Sequence, residues 1–132
     1  ATQQAMLHRS IPVTGAETPG QCACSYVVHY PGPAQDTSAW LEFYLRNHAV
    51  LMARFPKVQE VEVLTRIDWI DAMPWQRVDY MQRNRIMFDT ADALLEAHRD
   101  SLREEMRRDF ARFPAFDGGT FHYPMHTTII CH

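Results

Sequence analysis

The chain has 132 residues and a formal net charge of −3, with 46% hydrophobic and 22% charged residues. This length suits a single domain, and the composition is that of a folded globular protein rather than a disordered one. A negative net charge argues against nucleic acid as the main partner, because phosphate binding needs a concentrated basic surface. We also expect no membrane partner, since the sequence has no apolar run of about 18 residues and no apolar signal region near its start.

The first 21 residues contain prolines, glycines and scattered polar side chains. This pattern predicts a flexible N-terminal arm, or a segment ordered only by a partner, ahead of a domain spanning residues 22–132. The first strand is predicted at Cys24–Tyr30, which is rich in β-forming residues and is followed by Pro31-Gly32-Pro33.

The first helix is predicted at Trp40–Phe55, with Asp36 as its N-cap and Pro56 after its end. Its large side chains recur at steps of three or four and form one stripe: Trp40, Tyr44, His48, Leu51 and Phe55. Residues 58–70 then alternate between apolar and charged side chains. This alternation predicts a second strand with one face toward water.

The third strand is predicted at residues 79–88, after a loop that contains Trp69, Met73 and Trp75. We expect those three side chains to form an apolar lid over a pocket. Asp89-Thr90 then caps a second helix, whose apolar face extends to Phe113. The last strand is predicted at residues 120–130.

The predicted order is β-α-β-β-α-β, which defines an α+β fold of the ferredoxin-like type. Such a chain forms a four-stranded antiparallel sheet with both helices on one face. The right-handed crossover rule gives the strand order 4-1-3-2. The face without helices needs a cover, and we expect a symmetric homodimer in which the two sheets form a barrel.

Three stretches resemble the EthD family, a branch of the dimeric α+β barrel superfamily. Tyr44–Leu51 with Phe55–Val58 is similar to the family's helix ending in a His-Ala-Pro-Leu-type motif, although Val50 and Lys57 replace the usual Pro and Gly. The two other stretches are Met87–Leu94, similar to the family's start of the second helix, and Asp109 with Phe113, where members often carry the same residue types.

The resemblance covers about residues 24–130 and implies a dimeric barrel that acts on small hydrophobic molecules. Members of this family often take part in the degradation of xenobiotics or of aromatic-derived lactones. Related barrels include cofactor-free isomerases, cyclases and monooxygenases, and other branches bind haem. The shared fold does not choose among these activities.

His48 is the first candidate for catalysis. It lies on the apolar stripe of the first helix and matches the histidine that recurs in the family. Because imidazole titrates near neutral pH, a histidine facing a pocket can accept and return a proton. The alternative is a core histidine whose ring is satisfied by a backbone carbonyl.

A second candidate group is expected where the last strand runs antiparallel beside the first. The start of one strand and the end of the other would bring together two histidines and two tyrosines: His29, Tyr30, His122 and Tyr123. Tyrosine hydroxyls can hold a substrate carbonyl while a histidine moves the proton. The alternative is that these residues line the barrel or contact the second subunit.

Further side chains are candidates for substrate binding. Arg85 can bind a carboxylate in bidentate fashion or line a dimer interface. His126 shares a strand face with His122. The remaining candidates are aromatic: Trp40, Tyr44, Trp69 and Trp75. Trp40 also fits a place in the core.

The three cysteines, Cys22, Cys24 and Cys131, are an odd number and form a poor disulfide framework. Reduced thiols of a cytoplasmic protein are therefore expected. A zinc site that also uses His132 is the alternative, but Cys-x-Cys is not a usual zinc spacing.

The sequence contains no Walker loop, no Rossmann glycine pattern, no Gly-x-Ser-x-Gly elbow and no His-Glu-x-x-His motif. The sequence therefore shows no sign of nucleotide, hydride or serine-hydrolase chemistry. The EthD resemblance then implies, as our first hypothesis, a cofactor-independent enzyme that moves protons on a small hydrophobic carbonyl compound, by isomerisation, cyclisation or elimination. Two alternatives remain open. One is a non-catalytic protein that binds a small ligand, and the other is a haem- or metal-dependent oxidoreductase of the same superfamily.

Overall fold

A computed structural model describes residues 1–18 and 20–130 of the chain. In chain order, the strands and helices are β1 (Thr2–Gln3), β2 (Met6–Ile11), β3 (Cys24–Tyr30), α1 (Thr37–Phe43), a π-helical turn (Tyr44–His48), α2 (Ala49–Met52), β4 (Glu60–Arg66), β5 (Gln76–Arg77), β6 (Gln82–Phe88), α3 (Ala91–Arg99), α4 (Leu102–Phe110) and β7 (Phe121–His126). The result is a mixed α+β fold consistent with the predicted ferredoxin-like type. Among the described residues, no helix is long and apolar enough to cross a membrane.

The main sheet has five strands within the described residues, in the antiparallel order β2-β4-β6-β3-β7. The four predicted strands are β3, β4, β6 and β7, and their order in space is the predicted 4-1-3-2. The prediction of a four-stranded sheet is wrong, because β2 pairs with β4 along its whole length, from Met6 opposite Arg66 to Ile11 opposite Val61.

Residues 6–11 therefore form a strand, where the sequence predicted part of a flexible arm. The outer edge of β4 presents backbone N–H and C=O groups that need partners, and β2 supplies them. The segment also contains neither proline nor glycine. Nearer the terminus, β1 pairs with β5 in parallel, and the Gln3 side-chain amide donates to the carbonyls of Met73 and Trp75 at 3.0 and 2.9 Å.

The first helical stretch begins at Thr37 rather than at Trp40 and ends at Met52. Asp36 is its N-cap, as predicted: the Ala39 N–H donates to the Asp36 carboxylate at 3.0 Å. The predicted stripe is buried along its whole length, at Trp40, Tyr44, His48, Leu51 and Phe55.

The second helix is divided into α3 and α4. Thr90 caps α3 through a 3.1 Å bond from the Ala93 N–H, as predicted from the sequence. At Asp100 the backbone becomes extended, with a ψ of 146°, and the Asp100 carboxylate accepts the Leu102 N–H at 2.9 Å. Because an aspartate that binds the backbone two residues ahead competes with helical hydrogen bonding, the chain changes direction here before α4 begins.

Three strands are shorter than predicted. β4 ends at Arg66 instead of continuing to residue 70, β6 begins at Gln82 instead of residue 79, and β7 ends at His126 instead of residue 130. The ladder limits their length: Arg66 lies opposite the first residue of β2, and Thr65 lies opposite the first residue of β6.

The core lies between the helices and one face of the sheet. Val28 and Tyr30 of β3 pack there with Trp40, Tyr44 and Leu94 of the helical segments. The alternate residues of the strands lie on the other face of the sheet. On that face, three large β7 side chains are about half exposed: Phe121 (50%), Tyr123 (44%) and Met125 (50%).

Candidate functional site

A cavity of about 70 Å³ lies between the helices and the sheet. The sheet contributes residues of β3 and β6 to its wall, and the helical segments contribute the rest except Phe55, which follows α2. Most of the wall is apolar, as at Val28, Ile86, Phe88, Leu94 and Met106. A concave apolar site with a few convergent polar groups is the usual form of a small-molecule site.

His48 and Asp109 form a buried pair at this cavity. His48 Nδ1 lies 2.9 Å from Asp109 Oδ2, and the two side chains are only 8% and 7% exposed. Burial lowers the pKa of His48, while the hydrogen bond and the negative charge of Asp109 oppose this shift. A neutral His48 that donates Nδ1–H to Asp109 carries its free lone pair on Nε2, which makes no hydrogen bond to a described residue.

Aromatic rings hold the His48 imidazole from two sides. The Phe113 ring stands edge-on at a centroid distance of 4.8 Å, and the Tyr44 ring lies at 5.2 Å. Asp109 and Phe113 are the two residues that the EthD resemblance placed together after the second helix. Both contact His48, so the matching positions form one physical cluster.

The π-helical turn positions Tyr44 and His48. The Ala49 N–H bonds to the carbonyl of Tyr44, five residues earlier, instead of following the α-helical spacing of four. Single π-helical turns are frequent at functional sites. Here Tyr44 and His48 both lie on the cavity wall.

Two tyrosine hydroxyls add polar groups to the same wall. The Tyr44 hydroxyl donates to Asn84 Oδ1 at 2.8 Å, and the Tyr30 ring lies 5.6 Å from that of Tyr44. Burial is the main cause that raises the pKa of Tyr30 and of Tyr44. Both hydroxyls therefore keep their protons at neutral pH. Tyr44 already donates its proton to Asn84, whereas Tyr30 is able to donate to a ligand oxygen.

The predicted cluster of His29, Tyr30, His122 and Tyr123 does not form, because the sheet separates its members. Tyr30 lies in the core on the helical side, and His122 stacks on Tyr26 at 5.6 Å on that same side. His29 and Tyr123 lie on the opposite face, with ring centroids 5.0 Å apart. The predicted neighbourhood along the strands is correct, but consecutive residues of a strand point to opposite faces.

His29 has its own polar environment on that opposite face. Its Nε2 accepts a hydrogen bond from Arg83 Nε at 3.0 Å. Burial, followed by the charge of Arg83, lowers the pKa of His29 to about 4. His29 is therefore a neutral acceptor at physiological pH, remote from the cavity.

The aromatic candidates for substrate binding lie in different places. Tyr44 lines the cavity, whereas Trp40 is 1% exposed and packs behind it, with ring centroids 5.2 Å apart. Trp69 lies under the Arg77 guanidinium at 4.6 Å, and Trp75 is 49% exposed. Neither of these last two lines the cavity, so the loop does not form the predicted lid over it.

The remaining candidates are also outside the cavity. Arg85 Nη2 lies 2.8 Å from Glu62 Oε2, which places this arginine in an ion pair rather than at a ligand. His126 lies opposite Cys24 at the far end of β7 and is exposed. Arg83 and Arg85 share one strand face.

No group of three or more metal-ligating side chains is found within residues 1–18 and 20–130. Cys22 and Cys24 are buried free thiols, and burial is the main cause that raises the pKa of Cys22 to about 11. The other members of the possible zinc site, Cys131 and His132, lie outside the described residues.

Sequence reasoning missed three functional candidates. Asp109 entered only through a resemblance, and His98 and Arg103 were not among the candidate residues. His98 and Arg103 line the cavity. They reach the same wall because the chain turns at Asp100, a break that helical periodicity alone does not reveal.

Comparison with known proteins agrees with the fold. Neither a protein-family model nor a curated protein sequence matches the chain. Among solved structures, it is similar to the crystal structure of an ethyl tert-butyl ether d (EthD) family protein from Bacillus halodurans C-125. The TM-score is 0.60 and the identity 18%, over 80% of this chain and 99% of the other. The resemblance to the EthD family is thus confirmed in the fold.

Proposed function

We propose that this protein is a cofactor-independent enzyme that transfers protons on a small hydrophobic carbonyl compound, such as a lactone or an aromatic-derived ring. The observation that supports this most is the buried His48–Asp109 pair on the wall of an apolar cavity. A histidine oriented by a carboxylate is a standard arrangement for a general base. The likeness to an EthD family protein supports a small-molecule role through the shared fold.

In the proposed reaction, His48 Nε2 removes a proton from the carbon next to the carbonyl group. The C–H bond breaks, its electron pair moves toward the carbonyl oxygen, and the proton stays on the imidazole. Asp109 stabilises the imidazolium, while the Tyr30 hydroxyl donates to the developing oxyanion. Return of the proton to a different carbon completes an isomerisation, and loss of a leaving group from the same enolate gives an elimination.

The second candidate function is that of a protein that binds a small hydrophobic ligand without changing it. The apolar character of the cavity wall favours this reading, because such a wall holds a ligand without any chemical step. His48 would then only satisfy the buried Asp109. Tight binding with no product distinguishes this function from the first one.

We also propose that the protein acts as a homodimer. The sheet face opposite the helices carries half-exposed Phe121, Tyr123 and Met125. Exposed apolar side chains in one contiguous patch favour association with a second copy.

The test of the proposed enzyme uses α-angelica lactone, a small unsaturated lactone, in D₂O. Proton NMR follows both the loss of the α-proton signal and the movement of the double bond. We expect catalysed exchange with the wild-type protein and a loss of about 10²–10⁴-fold in His48→Ala, the usual contribution of a general base. His8→Ala is the matched control, because His8 lies at an exposed position on β2, away from the cavity.

Circular dichroism and thermal unfolding show whether each variant is folded. Exchange that survives in a folded His48→Ala protein would contradict the assignment of His48. If the wild-type protein binds the lactone with no exchange above the buffer rate, the ligand-binding function replaces the enzyme.

A further inference from the structure

A cluster of polar side chains borders the cavity on the side toward β7. We call it the Arg103 cluster; it consists of Tyr26, His98, Arg103 and His122. Tyr26, His98 and Arg103 line the cavity. The His98 ring stands edge-on to the Tyr26 ring at 4.6 Å, and the His122 ring stacks on Tyr26 at 5.6 Å. Four elements, β3, α3, α4 and β7, thus bring one side chain each to a single place.

Arg103 has no counter-charge there. It is partly buried, and no carboxylate of the described residues lies within 4.0 Å of its guanidinium. By contrast, Arg85 and Arg54 each pair with a glutamate, Glu62 and Glu105 respectively. A partly desolvated guanidinium without a partner is unfavourable, and an anionic ligand would remove that cost.

The two histidines complete a site that suits an anion. Burial is the main cause that lowers the pKa of His98 and of His122, and the charge of Arg103 lowers both further. Both pKa values thus lie below the ordinary one near 6.5, so the neutral rings predominate at pH 7. His98 has a hydrogen bond to the Leu94 carbonyl, whereas the N–H of His122 is available to an anion. The charge of the cluster under these conditions comes from Arg103 alone, with His122 as an additional donor.

We propose that the Arg103 cluster binds the carboxylate group of an organic acid whose apolar part occupies the cavity. This inference rests on the proposed function, because it takes the same cavity as the ligand site. A planar carboxylate matches the fork of a guanidinium and allows two parallel hydrogen bonds. The substrate would thus be an acid that also contains a carbonyl group or ring near His48.

The test compares acids with neutral amides of nearly the same shape. Isothermal titration calorimetry at pH 7.5 measures the binding of butyrate and benzoate, and of butyramide and benzamide. We expect each acid to bind at least tenfold more tightly than its amide. In Arg103→Gln the acid should lose about 10- to 100-fold in affinity, the usual effect of a charge-assisted hydrogen bond, so that the preference for acids disappears.

Arg107→Gln is the matched control, since Arg107 is an exposed arginine one turn further along α4. It should keep the preference for acids. A second variant, His122→Phe, keeps an aromatic ring stacked on Tyr26 and removes the N–H donor, and it should weaken acid binding by about three- to tenfold. Thermal unfolding checks that each variant is folded.

Equal affinities of the wild-type protein for acids and amides would overturn the carboxylate site. This outcome would not contradict the proposed proton-transfer function. Equal losses of affinity for the acids in Arg103→Gln and Arg107→Gln would also overturn it, because the preference for acids would then come from the net charge of the protein. If no acid or amide binds, the carboxylate site fails. The lactone exchange experiment uses a neutral probe, so it tests the proposed proton-transfer activity independently of the carboxylate site.

Discussion

At the scale of single residues, the His48–Asp109 pair determines what the cavity is able to do. Burial favours the neutral imidazole, and Asp109 fixes which ring nitrogen carries the proton. If either partner were removed, the other would be a buried polar group with an unsatisfied hydrogen bond, which is costly. The pair therefore has both a structural and a chemical effect, and an experiment must separate the two.

The pH dependence of Asp109→Asn separates them. The bond to Asp109 and its charge both raise the pKa of His48 against the larger effect of burial. Removing the charge should therefore lower the pKa of His48 further below its ordinary value near 6.5. Because the general base acts in its neutral form, exchange falls as the pH drops through this pKa. We expect the exchange rate of the variant to begin its fall at a lower pH than that of the wild-type protein. We also expect its plateau rate at higher pH to be about 10²-fold lower.

Proton exchange measured from pH 4 to 8 gives this profile, and an NMR titration of the His48 ring gives its pKa directly. Asp117→Asn, a change at an exposed loop residue, serves as the control. A variant with a lower plateau but an unchanged His48 pKa would indicate that Asp109 acts only by packing.

The sequence predicts individual residues well where the contacts are local. His48 was identified from a helical stripe, and Asp36 and Thr90 from their positions before helices. The partner of His48 is 61 residues away in the chain, and no local pattern encodes that distance. Family resemblance marked Asp109, but its contact with His48 depends on how α4 packs against the π-helical turn.

At the scale of secondary structure, the break at Asp100 has the largest consequence for the site. Without it, one continuous helix would carry its apolar residues along a single line, as periodicity predicts. The turn ends α3 at Arg99 and starts α4 at Leu102. As a result, His98 from one helix and Arg103 from the next border the same cavity.

β2 is another element that sequence patterns did not reveal. Its six residues alternate only weakly in hydrophobicity, so the pairing with β4 decides their conformation. Deletion of residues 1–11 should lower the free energy of unfolding by about 1–3 kcal/mol, because it removes the packed Ile11 side chain and a whole strand ladder. A flexible arm would predict no change.

Urea unfolding, followed by circular dichroism, measures this difference in the midpoint concentration. Deletion of residues 1–3 is the control, since it removes β1 and keeps β2. Equal midpoints for the wild-type protein and the longer deletion would contradict a stabilising role for β2.

At the scale of the whole molecule, the two faces of the sheet have different characters. One face contacts the helices and forms the core. On the other, polar groups largely satisfy each other: Glu62 pairs with Arg85 and His8, and Arg83 donates to His29. These pairs leave little net charge to repel a second copy of the same surface.

Beside those pairs lies an apolar ridge on the edge strand β7, made by Phe121, Tyr123 and Met125. Such a ridge costs solvation free energy in a monomer and is buried when two sheets pack face to face. The double variant Phe121→Glu with Tyr123→Glu should therefore be monomeric, whereas the wild-type protein should be a dimer. Native mass spectrometry measures both states and also reveals the mass of any ligand retained in the cavity.

Ile70→Glu is the matched control, because Ile70 is 92% exposed in the loop after β4, outside the ridge. It removes an exposed apolar side chain and adds a charge, as the double variant does at two positions, yet it should remain dimeric. A monomeric wild-type protein would contradict the proposed homodimer. A dimer that survives the double variant would require an interface elsewhere, and the helical surface, with the Arg103 cluster at its border, would then be the face to test.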